Sequence, residues 1–140
     1  MRSSLKNNAL KHTLTILLMA VAIFSHNSLD AKKDNRERDF LFMEGLRMVN
    51  LGQLSGAEKI FTELTSKFPQ MDAAYYNLAN IHLKKGDLSK ALKFTEKAVA
   101  ADSSNYWYSI QLARLHSAMG DLAKSTEVYE SVKRRNPAGT

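Results

Sequence analysis

The chain has 140 residues, a formal net charge of +6, 44% hydrophobic residues and no cysteine. Without cysteine it has no disulfide staples, no zinc–thiolate site, no thiol catalysis and no anchor through a lipidated cysteine, so its core must hold by packing alone. The positive charge is a mild excess, since residues 1–31 carry three basic residues and one acidic one, and the remainder carries +4 in scattered lysines and arginines rather than the clustered stripe of a nucleic-acid binder.

The first predicted element is not part of a globular fold. Arg2, Lys6 and Lys11 precede an unbroken apolar run from Thr13 to Phe24, and a polar tail follows from Ser25 to Ala31. This three-part layout predicts a secretory signal peptide over 1–31, cut after Ala31 or after Ser28. The run is shorter than the roughly 20 apolar residues that span a bilayer. An uncleaved inner-membrane anchor is the alternative. The expectation is therefore an exported, periplasmic protein, touching membrane only through such an anchor. Residues 32–37 read as a short charged lead-in.

From residue 38 the chain repeats. Gly52, Gly86 and Gly120 are evenly spaced, each at the same point of a pattern. Their period, about 34 residues, marks a helix–turn–helix unit stacked on its copies. Units over 38–71, 72–105 and 106–139 predict helices near 38–51, 54–67, 72–85, 88–101, 106–119 and 122–135. Bulky apolar residues at Leu78, Ile81, Leu88 and Phe94 recur one period on at Leu112, Leu115, Leu122 and Val128, and are expected to fill the core side of each helix pair. Small residues (Gly45, Ala79, Ala113; Ala57, Ala91, Ser125) let paired helices approach closely where they cross. Each glycine suits a left-handed C-terminal stop, Asp87 and Asp121 suit N-caps, and Pro69 and Pro137 end second helices.

Three spaced copies of these residues resemble the signature of the tetratricopeptide repeat (TPR) family, W-x-x-L-G-x-x-Y…A-x-x-x-F…P, over residues 38–139. The clearest copy reads Tyr75, Leu78, Ala79, His82, Gly86, Ala91, Thr95 and Ala98. The pattern departs at Glu44, where leucine is usual, and at Ser103, where proline is usual. The resemblance implies an all-α fold of three repeats in a short right-handed superhelix, behind the signal peptide. It further implies a non-catalytic interaction module like the small periplasmic TPR proteins of Gram-negative bacteria that support envelope assembly.

In that family the first helices of each repeat line a concave groove. Carried over, the first copy supplies Phe42, Met43, Leu46, Val49 and Asn50. The other two supply Tyr76, Asn77, Asn80, Leu83, Lys84, Trp107, Ile110, Gln111 and Arg114. The expected partner-binding residues are Tyr76, Asn77, Asn80, Lys84, Trp107, Gln111 and Arg114, with Trp107 as anchor and the asparagines bonding a peptide backbone. The two-carboxylate clamp of chaperone-binding TPR domains corresponds to Phe42, Leu46, Asn77, Trp107 and Gln111, of which only Asn77 matches. That subtype is not expected.

Catalytic and cofactor signals are lacking. No phosphate loop, nucleophile elbow or HExxH motif occurs. His82 and His116, one period apart, read as packing residues rather than metal ligands. No enzyme activity, cofactor, metal or nucleic acid is expected. The expected partner is a protein or peptide, with weak self-association through the last repeat as the alternative role.

Overall fold

The computed structural model describes residues 19, 21 and 32–135. The expected signal peptide, but for residues 19 and 21, and the helix stop at Pro137 lie outside the described residues. The chain divides into two compact units, Met1–Asp39 and Phe40–Thr140. In the first, residues 32–39 are helical, and Arg38 bonds Asp39 and Asn35. The charged lead-in expected over residues 32–37 is thus helical. Lys33 with Glu37 and Asp34 with Arg38 have the i,i+4 spacing of opposite charges that favours a helix.

The second unit is helical throughout. Helical residues run from 32 to 50, and α1 is the part from 40 onward. It is followed by α2 (Leu54–Lys67), α3 (Asp72–Lys84), α4 (Leu88–Ala101), α5 (Tyr106–Ala118) and α6 (Leu122–Arg135). Among the described residues there is no strand, and no helix is long and apolar enough to cross a membrane. From α2 on, each helix packs against its neighbours in sequence.

Local chemistry accounts for the helix ends. Gly52, Gly86 and Gly120 have φ of +72°, +77° and +84°, a conformation that costs other L-residues energy. In each turn the glycine N–H and the following N–H bond carbonyls of the finished helix: Gly86 to Leu83 at 3.0 Å, Asp87 to His82 at 2.9 Å. This is the Schellman closure. Asp87 then caps α4 by accepting from the Lys90 N–H at 3.0 Å, and Asp121 caps α6 through Lys124 at 3.1 Å. Asn105 caps α5 by accepting from the Trp107 N–H.

Two apolar clusters meet at Phe94. One holds Ala57, Phe61, Leu64, Ala74, Leu78 and Ile81; the other holds Tyr75, Ala98 and Tyr108. Phe61 is wholly buried against the α-carbon of Gly45, where even an added methyl would lie 2.7 Å from Cζ. Leu122, expected in the core, is instead 65% exposed. Its counterpart Leu88 is half-covered in a cleft wall with Leu115 and Ala118, whereas no described helix covers that side of α6.

Candidate functional site: a cleft between the third and fifth helices

Helices α3 and α5 lie side by side and point the same way. The Tyr76 and Tyr108 rings are 4.9 Å apart, the Tyr108 hydroxyl donates to Asp72 at 2.7 Å, and Gln111 Nε2 donates to Asn80 Oδ1 at 3.0 Å. These links run from the first turn to the middle of both helices. Residues 76, 80 and 83 of α3 and 107, 110, 111, 114 and 118 of α5 follow helical spacing, so each set forms one face. The two faces wall a cleft of about 260 Å³. A second depression of about 290 Å³ adjoins it, lined by Val49, Asn77, Asn80, Ile81, Leu83 and Lys84.

The seven expected site residues thus divide between two depressions. Tyr76, Asn80, Trp107, Gln111 and Arg114 line the first, Asn77 and Lys84 the second, and Asn80 lines both. Trp107 is 68% exposed, held edge-on to Tyr106 at 5.5 Å. Gln111 differs from expectation. It is 9% exposed, a wall residue that fixes the Asn80 amide, and its own Oε1 is buried without a partner. Asn77 also spends its amide N–H locally, donating to the Ala73 carbonyl at 2.8 Å. The two asparagines therefore offer opposite faces: Asn80 keeps N–H donors, and Asn77 keeps a carbonyl oxygen.

The first-copy groove residues are mostly elsewhere. Phe42 packs edge-on to Phe61 at 5.9 Å, and Leu46 packs on the same cluster. Val49 reaches the second depression while also touching the core. The reason is the missing Cβ at Gly45, which draws α1 onto Phe61 and turns its apolar side inward. Met43 remains exposed.

Charge is uneven across this region. Among the described residues, neither depression is lined by an aspartate or glutamate. Lys84 and Arg114 are exposed and form no ion pair among the described residues. Carboxylates elsewhere are engaged: Glu44 with Arg47, Glu58 with Lys85, Glu63 with Lys67, Asp87 with Lys90, and Asp121 with Lys124. The Lys85 ammonium holds the Glu58 carboxyl below its usual range. Donated N–H and O–H groups do the same to Asp102, from the Ser104 hydroxyl and backbone. Burial pushes the Tyr108 phenol well up, and its bond to Asp72 adds to this.

His82 is a packing residue. It is 3% exposed, stacked on Phe94 at 5.4 Å, with Nε2 3.3 Å from Glu58. No group of three or more metal-ligating side chains forms among the described residues. Two further contacts had no sequence signal: the Tyr108–Asp72 bond, and Lys97 lying over the Tyr75 ring at 5.4 Å.

Helical hairpins stacked in sequence, with a cleft walled by their first helices, define a helical-repeat protein. Residues 49–108 match the family model of the tetratricopeptide repeat, so both the sequence and the fold support that assignment. A curated relative is the cellulose synthase operon protein C of Xanthomonas axonopodis pv. citri (strain 306), 27% identical over 110 residues. The match covers 71% of this chain and spans only 7% of that relative's length. Among solved structures, the Yersinia enterocolitica type III secretion chaperone SycD, in complex with a peptide of the translocator YopD, superposes with a TM-score of 0.66. Its identity is 14%, covering 72% of this chain and 77% of that one. The TPR2B domain of yeast Sti1, in complex with pHsp70, gives 0.64 at 20% identity, covering 71% and 79%. At such identities the likeness is one of fold.

Proposed function

We propose that this chain is a non-catalytic protein-interaction module of the cell envelope that holds a peptide or helical segment of a partner in the α3–α5 cleft. The observation that carries the reading is the convergence of Tyr76, Asn80, Trp107 and Arg114 on one cleft, with Trp107 68% exposed beside it. Large exposed aromatics beside oriented amides are the usual anchors of peptide recognition. SycD and Sti1 TPR2B, which share the fold, were solved with a translocator peptide and pHsp70. The envelope location rests on the signal-peptide layout of residues 1–31.

The test is capture from envelope extract on the immobilised full chain and on a Trp107→Ala, Asn80→Ala variant of matched helicity. Proteins held by the first and lost from the second are expected. Equal retention overturns the assignment of the cleft.

One observation favours a second role. Leu122 and Tyr129 on α6 are 65% and 40% exposed, and Met119, at the C-cap of α5, is 47% exposed. A second copy docking there would make the chain a self-assembling structural module. Mass in solution that rises with concentration, and no longer rises in Leu122→Glu, would establish it.

A further inference from the structure

The cleft is graded along its length. Because α3 and α5 run the same way, Tyr76 and Trp107 wall the cleft toward their N-terminal ends, Asn80 and Gln111 bond at their middles, and beyond these lie Arg114 in the cleft and Lys84 in the adjoining depression. One end is thus aromatic, the middle is amide, and the far end is cationic. Among the described residues, the two cations have no acidic partner and no carboxylate lines either depression. An unneutralised cation at a docking surface is satisfied by a charge the partner brings.

The spacing is set by helix geometry. Lys84 lies two turns beyond Tyr76, and Arg114 two turns beyond Trp107, so at about 1.5 Å per residue the aromatic and cationic ends lie roughly 10–12 Å apart. Extended or polyproline chain rises about 3.1–3.4 Å per residue, so three or four residues cover that distance.

Resting on the proposed function of this cleft, we infer that its occupant is an acidic segment of a protein partner. A large apolar side chain packs on Trp107 and Tyr76. An aspartate or glutamate three or four residues away pairs with Arg114 and Lys84. Between them the Asn80 amide, held by Gln111, donates to a backbone carbonyl of the segment. Gln111 acts here as a positioning residue. Such recognition differs from a terminal-carboxylate clamp, because the charge is met by two cations in the C-terminal halves of α3 and α5 and needs no chain terminus.

Selection of a random peptide library displayed on phage tests this on the full chain, with counter-selection on Trp107→Ala, Asn80→Ala. Enriched, cleft-dependent peptides should carry an apolar residue and an acid three or four positions apart. Replacing that acid by lysine should weaken binding roughly three- to tenfold, the range for two exposed ion pairs. The surface variant Lys84→Glu, Arg114→Glu, at two exposed positions, should reverse the preference toward the lysine peptides. Cleft-dependent peptides with no acid, or with unchanged preference in the charge-reversed variant, overturn the inference and leave the cleft reading standing. Absence of any cleft-dependent peptide overturns both.

Discussion

Two glycines in adjacent helices should respond oppositely to one added methyl group. A Cβ on Gly45 would lie 2.7 Å from Phe61 Cζ and 3.0 Å from both Cε atoms. Phe61 is 0% exposed and braced edge-on by Phe42, so its rigid ring has nowhere to retreat. Overpacking of this kind costs about 1–3 kcal/mol, while replacing a helical glycine by alanine returns about 1 kcal/mol. Gly45→Ala should therefore lose about 1 kcal/mol on balance. A Cβ on Gly56 meets the Met48 sulfur at 2.9 Å, but methionine has three flexible torsions and can swing aside. Gly56→Ala should gain about 0.5 kcal/mol, a fraction of the full propensity because Gly56 lies in the first turn of α2. The two variants should differ by about 1.5 kcal/mol, on the order of 10 °C in Tm for a unit of this size. Thermal and urea unfolding followed by far-UV circular dichroism measures it. In a Phe61→Leu background the cost of Gly45→Ala should nearly vanish, since the clashing ring atoms are gone. A Gly45→Ala protein as stable as Gly56→Ala would refute the reasoning.

Gly86 tests the backbone alone, because no atom lies within 4 Å of its added Cβ. Gly86→Ala should cost about 1 kcal/mol, and Gly86→Asn less, since asparagine tolerates the left-handed region better; equal costs in urea titration would exclude the φ argument. The carboxyls of Asp87 and Asp121 lie below their usual range, chiefly because the Lys90 and Lys124 backbone N–H groups bond them. A carboxyl depressed by folding stabilises above its unfolded value, near pH ~4, and that contribution is lost as pH falls through the lower folded value. Urea midpoints should therefore drop on acidification below about pH 4, and Asp87→Asn, Asp121→Asn, which keeps an acceptor at both caps, should flatten the drop; an unchanged slope contradicts the assignment. Tyr108→Phe should cost about 1–2 kcal/mol by stripping Asp72 of its donor. It should also remove one late-ionising phenol from the alkaline ultraviolet titration, and an unaltered titration would show that Tyr108 is not the buried phenol.

Helix positions were largely legible because they depend on neighbours in sequence. The regular period placed the glycine turns, and α2, α4 and α6 begin and end where that spacing predicts. The Asp87 and Asp121 caps were equally local, since capping links residues three apart. The cleft was legible only as a list of residues. That Gln111 would turn inward to hold Asn80, and that Asn77 would spend its amide on Ala73, depends on how α3 and α5 slide past one another. No spacing within one helix encodes that register. Phe42 and Leu46 lie against the core for a related reason: Gly45 brings α1 onto Phe61, and the closeness of that approach is a property of the pair. Leu122 kept the pattern of Leu88, but burial also requires a neighbour, and repetition in sequence does not supply one.

The chain has a single tryptophan, and it stands 68% exposed outside both apolar clusters. Its ultraviolet emission consequently says little about whether the core is folded: the indole is already wet in the native state, so unfolding changes its surroundings little. The same placement makes it a built-in optical probe of occupancy. A ligand seated beside Tyr76 and Asn80 would shift the emission to the blue and shield it from iodide quenching without any attached dye.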